Sequence, residues 1–530
     1  MDPAGDQEPR PGGLEEPSPQ TGSLPGVDPG ALIVSGLGRN ALWQYANFLA
    51  ASFAGIFIIG FALRRLGTAA YGLFALAVAI IGILNTVDFG LRFAVIRATA
   101  RDADRFSAEE RMEARSDVEA AHFAYGTTGA SAAVVSAAAG LVVYLTTGGI
   151  SATEHLPAAI VLIGLSVGLS LGTSAFTGVL IGRRQFRVPA VGGVIGTVVE
   201  LAIVVFTIDQ LRLVALGIGL LANVVVSQGY GAWWLRRHEA WFHLFPRPHQ
   251  WVAVRRVAVF AAPLIVMALA GPIIPATDLA VVGAVATAGA VGLYQAGSVI
   301  PAGVISTLVT GFDTVYPHLA GTGDSTGQEI AVKFLTRVAA FIGGAVFGTV
   351  ILLRADVIRV VLGRPSALAE SVLIVFCGIW MENIPVHGPA LLLIARGRQR
   401  IYMPLIVAET IANLALTAPF AIWMGPIGAA VATLVTVITS GLIVFPYLVR
   451  HDLPGNTIWG FTAAVVGTMV LGAASAGIAV APLLVLAPGW ARLFEGFAAG
   501  GVVSCVLGLL FLKREGRSTL TAMLRRPEGA

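Results

Sequence analysis

From residue 40 onward the chain is a succession of apolar runs of about twenty residues, separated by short polar intervals. Wound as an α-helix rising 1.5 Å per residue, a run of that length covers the ~30 Å hydrocarbon core of a bilayer. Inside hydrocarbon every backbone N–H and C=O must find its partner within the chain, so only helices and closed barrels can cross. These runs are about twice as long as a barrel strand needs, and they predict helices. They fall at about 41–63, 70–94, 121–146, 157–181, 190–208, 213–235, 257–282, 291–316, 331–353, 368–395, 402–423, 427–449, 458–480 and 492–512, fourteen in all. The expected class is an all-α polytopic membrane protein. Composition excludes the soluble alternative: the chain is 56% hydrophobic and 12% charged, against about a quarter charged in soluble domains. That apolar excess across 530 residues is more than a single core can absorb. The 63 glycines suit helices that approach closely in lipid.

Residues 1–30 run the other way, with proline, glycine and acid and almost no large apolar side chains. Such a segment cannot bury enough surface to offset its ordering entropy, so a disordered tail is expected. It has no apolar core bounded by a cleavage site, and the first span is expected to act as an uncleaved insertion signal. Pro263, Pro272 and Pro275 fall in the seventh run, Pro385 and Pro389 in the tenth. Neighbouring helices can satisfy the carbonyls that proline frees, so kinks rather than ends are expected there. The stretch 97–120 mixes both charges with helix formers and predicts a solvated extension of the second span. Cys377 and Cys505 lie in apolar runs at no metal or disulfide spacing, so both are expected as buried thiols, with no metal and no cofactor.

Lysine and arginine set the orientation. With both termini cytoplasmic, 26 of the 34 basic residues fall in cytoplasmic segments and seven outside, Arg92 lying within a helix. This is a positive-inside bias, and it needs an even number of spans. Basic groups spaced in this way report topology rather than nucleic-acid binding.

The chain also repeats itself at long period. Ala70-Tyr71-Gly72-Leu73-Phe74-Ala75 opens the second span, and Ala290-Val291-Gly292-Leu293-Tyr294-Gln295 opens the eighth, 220 residues later. Leu180-Ile181-Gly182-Arg183-Arg184-Gln185 closes the fourth, and Leu393-Ile394-Ala395-Arg396-Gly397-Arg398-Gln399 closes the tenth, 213 to 214 residues later. Equivalent positions six spans apart predict two pseudo-symmetric six-helix lobes in one orientation, a transporter plan with its substrate site at the interface. The expected organisation is a cytoplasmic tail over 1–38, a first lobe over 39–237 and a linker over 238–256. A second lobe over 257–450, two extra spans over 451–512 and a basic cytoplasmic tail over 513–530 complete it.

The segment Leu66-Gly67-Thr68-Ala69-Ala70-Tyr71-Gly72-Leu73-Phe74-Ala75-Leu76, followed by Val87-Asp88-Phe89-Gly90-Leu91, resembles the start of the bacterial polysaccharide flippases. So do Asp278 with Val291-Gly292-Leu293-Tyr294, and Gly425-Pro426-Ile427-Gly428-Ala429-Ala430-Val431-Ala432-Thr433. The resemblance covers roughly residues 35–450 and implies a superfamily shared with peptidoglycan-precursor flippases and multidrug and toxin extrusion antiporters. It implies two lobes forming a V in the bacterial cytoplasmic membrane. It also implies transport of a polyprenyl-diphosphate-linked oligosaccharide from the cytoplasmic to the outer leaflet. Its motifs are loose glycine and aromatic patterns.

Ionisable groups inside spans cost about 2.5–3.5 kcal/mol to insert and so normally face a cavity or a partner. In the first lobe the candidates are Asn85, Asp88, Arg92 and Glu200. Asp88 and Arg92, four apart on one face, can neutralise each other. The pair is either structural or an ion pair that leaves Arg92 available to a diphosphate. In the second lobe the candidates are Asp278, Glu382, Asn383, His387, Glu409 and Asn413, the last two sharing a face, while Asp313 reads as interfacial. Glu200, Glu382 and Glu409 have no basic residue within a turn, and each could carry a proton or serve structure alone. His387 could titrate near neutral pH or be simply hydrogen-bonded. A diphosphate needs cations, and arginine suits it by its fork of donors. Arg92 lies deep in a span, and Arg64 and Arg65 lie at the outer end of the first. The first span has no arginine between Arg39 and Arg64. The resemblance would place several there in a peptidoglycan-precursor flippase, so this departure favours the broader polysaccharide group.

The function expected is a lipid-linked oligosaccharide flippase working by alternating access, with the last two spans forming a groove for the lipid tail. A cation-coupled drug exporter would use the deep carboxylates for ion exchange. A membrane-embedded glycosyltransferase would need catalytic groups in an outside loop, and only Glu154, His155 and Asp356 qualify; no enzyme is expected. An assembly scaffold would tolerate loss of every deep carboxylate. The expected partners are membrane lipid and envelope glycosyltransferases or a polymerase, with the chain itself a monomer.

Overall fold

The computed structural model describes residues 29–101, 107–146, 155–247, 251–321, 325–395, 399–450, 458–486 and 489–524. Among the described residues all regular structure is helical. The first six spans are built from α1 (Pro29–Leu66), α2 (Thr68–Gly82), α3 (Thr86–Arg101), α4 (Ala108–Thr146), α5 (Leu156–Gly182), α6 (Arg187–Leu211) and α7 (Leu213–His238). The next six use α8 (Trp251–Val285), α9 (Ala288–Gly321), α10 (Ser325–Leu352), the short α11 (Arg354–Leu362), α12 (Ala367–Ala395), α13 (Gln399–Met424), α14 (Pro426–Val437) and α15 (Phe445–Val449). A last pair, α16 (Ile458–Val480) and α17 (Trp490–Leu524), packs against α10. Among the described residues fourteen stretches are long and apolar enough to cross a membrane, one for each expected run.

Several expectations need correction. The second span is not one straight helix: α2 gives way to a 3-10 turn at Ile83–Asn85 before α3 begins. Thr86 closes that turn by donating its hydroxyl to Ile83 O at 2.6 Å. The charged stretch after α3 extends the third span, not the second. Ser107 and Glu110 cap α4 reciprocally, Ser107 N donating to Glu110 Oε2 at 2.9 Å and Glu110 N to Ser107 Oγ at 3.2 Å. This is a capping box, which serves two otherwise orphaned donors of the first turn. The expected outside loop 354–366 contains α11, which stops at Gly363 with φ 75°. The tails shorten too: α1 already begins at Pro29 and α17 runs to Leu524, while residues 1–28 and 525–530 lie outside the described residues. Cys377 is buried as expected, but Cys505 is exposed. The proline-bearing helices α8 and α12 run unbroken, as expected.

The inter-lobe segment is not a loose connector. Phe242 is buried against His122 and Phe176, and His122 Nε2 lies 3.2 Å from Leu244 O. Arg256 at the start of α8 donates to Asp117 Oδ1 at 2.9 Å and to Glu113 Oε1 at 2.6 Å on α4. The hydrogen bond to Asp117 pushes the Arg256 pKa up from an already high value. The first turns of α8 therefore pack with the first six spans, while its far end packs both with α2 and with the next six.

Glycine governs the close contacts. A Cβ on Gly72 would lie 2.8 Å from Gly292 N and nearer still to Ala288 O, while one on Gly292 would lie 3.0 Å from Thr68 C. Ordinary contact begins at 3.4 Å, so backbone meets backbone where α2 crosses α9. Small residues permit such crossings in lipid, where dispersion must replace the hydrophobic drive. Thr68 and Gly72 are offset by 220 from Ala288 and Gly292. The sequence repeat therefore touches itself across the two halves, each copy presenting the same glycine to the other.

Candidate functional site

Two cavities and an apolar groove hold most of the polar candidates. The first lies where the α2–α3 break faces α8. It has a volume of about 390 Å³ and is lined by Gly82, Asn85, Thr86, Asp88, Arg92, Phe93, Ala268 and Pro272. The 3-10 turn turns Asn85 toward it, and α3 then carries Asp88 and Arg92 one helical turn apart. They form the expected ion pair. Asp88 is fixed from the other side by buried Tyr125 of α4, whose hydroxyl donates to Oδ1 at 2.7 Å. One oxygen serves the tyrosine and the other the guanidinium. Arg92 keeps a side chain that is 41% exposed, and its Nε finds no acceptor. The arginine is thus held in place by one end of its guanidinium while its side chain stays part-exposed in the cavity, an arrangement suited to an incoming anion.

The second cavity lies among α8, α12, α13 and α14. Its volume is about 270 Å³, and its walls include Asp278, Trp380, Glu382, Asn383, Tyr402, Glu409, Thr433, Ser440 and Gly441. Helix α8 divides the two cavities: Ala268 and Pro272 face the first, Gly271 and Pro275 the second. Asp278, 1% exposed, accepts from Tyr294 at 3.0 Å, Thr433 at 2.9 Å and Thr417 at 3.3 Å. Asn413 joins this cluster through Thr433 Oγ1 at 2.7 Å. Glu409, one turn away, takes its hydrogen bond from Ser440 instead. Ser440 sits in a π-helical stretch, Ile438–Val444, and such insertions re-aim side chains and recur at functional sites. Glu382 is buried in the same cavity with Oε1 unpartnered.

The third is an apolar groove of about 730 Å³ between α1, α6, α9, α11 and α17, lined by Phe53, Phe57, Leu201, Val361, Trp490 and Phe494 among others. Arg64 lies at its edge, its Nε donating to Val361 O at 3.1 Å. Arg65 points elsewhere, pairing with exposed Asp209 at 3.1 Å.

Glu200 joins none of these cavities; it accepts from Asn223 at 2.6 Å between α6 and α7. His387 is half-buried on α12 and lines none of them. The side chain of Asp313 lies outside the described residues. Asp356, read as a possible catalytic loop residue, is wholly buried: Arg492 holds it at 2.7 Å and Gly489 N at 2.8 Å. Glu154 lies outside the described residues. Among the described residues no group of three or more His, Cys, Asp or Glu is placed to hold a metal. The residues missed in the sequence are the hydroxyl partners Tyr125, Tyr294, Thr417, Thr433 and Ser440. Tyr294 and Thr433 fall inside motifs quoted for the resemblance; the others carry no local signal.

A family model described as polysaccharide biosynthesis protein matches residues 37–322. Among solved structures, lipid II flippase MurJ in an inward closed conformation superposes with a TM-score of 0.64 at 14% identity, over 89% of this chain and 99% of that one. An inward-facing multidrug resistance MATE family transporter gives 0.58 at 14%, over 78% and 94%. A transporter of the MOP superfamily from Pyrococcus furiosus, described as having a binding pocket of reverse polarity, gives 0.56 at 13%, over 79% and 95%. At these identities the likeness is one of fold. No curated protein matches.

Proposed function

This chain belongs to the polysaccharide biosynthesis protein family, and from that premise we propose that it flips a polyprenyl-diphosphate-linked oligosaccharide across the bacterial cytoplasmic membrane. The observation that carries the reading is Arg92, fixed by Asp88 and Tyr125 in a cavity between the halves with its side chain 41% exposed. A diphosphate there would accept from the exposed part of the guanidinium, and the glycan would occupy the hydrated space between the halves. The lipid tail would lie in the groove walled by α1 and α17, with Arg64 at its edge. Residues 39–237 and 257–450 act in this reading as two rocking lobes with both termini cytoplasmic. Each state then exposes the cavity to one side of the membrane. The absence of arginine between Arg39 and Arg64 favours this substrate class over a peptidoglycan precursor.

One observation favours a second reading. Among the described residues the acidic cavity of Asp278, Glu382 and Glu409 has no basic residue in its wall, which would suit a cation-coupled drug exporter. The two part in proteoliposomes holding a dithionite-quenchable polyprenyl-diphosphate disaccharide. The flippase reading expects the full-length protein to move the label between leaflets, R92A to abolish this, and truncation after residue 455 to impair it. Export of an organic cation dye with no movement of the lipid would overturn it.

A further inference from the structure

The deep carboxylates of this chain are not equivalent. Asp278 is served by three hydroxyls, Glu200 by Asn223 and Glu409 by Ser440. Glu382 is 7% exposed, it lines the second cavity, and its Oε1 has no hydrogen-bond partner. A buried carboxylate oxygen without a donor is among the least stable groups a protein interior can hold. Here a second carboxylate, Glu409, acts on it electrostatically across the same cavity. Among the described residues no basic side chain lines the wall. The titratable groups facing the pair are Asp278 from α8 and Tyr402 from α13, and α14 with its π stretch offers only the hydroxyls of Thr433 and Ser440. Tyr294 of α9 is bound to Asp278, and Lys333 and Arg337 of α10 do not line the cavity.

The missing component is therefore a cation, and the wall selects which one. A hard metal ion takes about six oxygen ligands. The hydroxyls of Ser440 and Thr433 donate to Glu409 and Asp278, and Asn383 adds one amide to the wall. Most of the remaining wall is apolar, with Phe376, Ile379, Leu405 and Ile406 among it. A proton needs one acceptor to form its O–H bond and a second to receive the hydrogen bond. Two carboxyl groups supply both, as in sites where paired acids share one proton.

We propose that Glu382 and Glu409 form a proton-binding pair that serves as the coupling site of the transporter. Water on one side of the membrane gives up a proton, which bonds to Glu382 Oε1 and is shared with a Glu409 oxygen. The pair passes from two negative charges to one, and the reverse step returns the proton to water on the other side. The π stretch is placed to sense the change, since Ser440 touches Glu409 and the Glu382 carboxylate lies against Gly441, where an added side chain would have to displace it. This inference rests on the transporter reading and is independent of the substrate.

The test uses purified full-length protein in nanodiscs without substrate. Infrared difference spectra between acidic and alkaline buffer would show one buried carboxylic-acid carbonyl band that titrates. The band should vanish in E382Q and also in E409Q, and survive in D278N and E200Q. It should not respond to replacing choline by sodium at constant pH. Persistence of the band in both E382Q and E409Q would overturn the proposal, as would its removal by sodium. Each variant keeps the shape of the side chain it replaces, and two variants guard against one that fails to fold. If lipid movement fails while the band behaves as expected, the substrate reading falls and the proton pair stands.

Discussion

The α2–α9 crossing makes a prediction that can be worked from the backbone. On an alternating-access cycle this contact exists only when the halves are closed at the end where α1 gives way to α2. In Gly72→Ala the new methyl would lie 2.8 Å from Gly292 N, where ordinary contact begins at 3.4 Å, a shortfall of about 0.6 Å before the nearer Ala288 carbonyl is considered. The obstructing atoms are backbone, so no rotamer relieves the overlap and the helices must part. Overpacking of this kind costs about 1–3 kcal/mol. At ~2 kcal/mol the closed-to-open ratio falls about 30-fold, since ~1.4 kcal/mol is a factor of ten. A population ~99% closed would then drop to about three-quarters closed. Spin labels at Ala69→Cys and Ala286→Cys, both exposed, report the separation by electron–electron resonance in a Cys505→Ser background. The longer distance should gain population in G72A and equally in G292A. Because the first methyl already parts the helices, the double variant should add much less than a second 30-fold step. An unchanged distance distribution in G72A, accompanied by a lower melting temperature, would mean that the crossing is static scaffolding and would refute the reasoning.

Other perturbations follow from the same geometry. Arg492→Met leaves Asp356 buried and unpaired, which should cost about 3–5 kcal/mol and appear as a marked fall in melting temperature; D356L/R492M should recover most of it. Tyr125→Phe removes the hydroxyl that fixes Asp88 and should destabilise by about 1–3 kcal/mol. It should also weaken diphosphate binding, measured by displacement of a fluorescent polyprenyl diphosphate. Arg256→Gln breaks an exposed cluster and should cost no more than about 1 kcal/mol, a loss that shrinks at high salt. Denaturation of R256Q at two ionic strengths checks it, and equal losses at both would count against an electrostatic role.

Much of this fold is legible in the chain, because bilayer thickness writes itself as run length. What stays illegible is what leaves composition unchanged. The break at Ile83–Asn85 sits inside a run that reads as continuous helix, and the π stretch Ile438–Val444 adds no breaker residue. The capping box at Ser107 was readable, yet mixed charge across 97–120 drew that segment to the wrong span. At the site, Asp88 and Arg92 are visible because i,i+4 spacing fixes neighbours on one helix. The hydroxyls that complete Asp278 come from residues 16, 139 and 155 positions away, and no local pattern announces them. Glu382 and Glu409 stood out as charges in apolar runs, but which of them lacks a donor depends on where Ser440 lands.

Two identical surfaces meeting face to face are how a symmetric dimer associates. Gly72 on Ala288 and Gly292 on Thr68 have that form within one chain, as though a homodimer had been joined end to end. Joining frees the partners from identity. One copy holds Arg92 and the other Glu382 and Glu409, an asymmetry that two copies of one gene product could not carry in their sequences. The price of that freedom is confined to the seam, where a change in either copy is felt at once by the other.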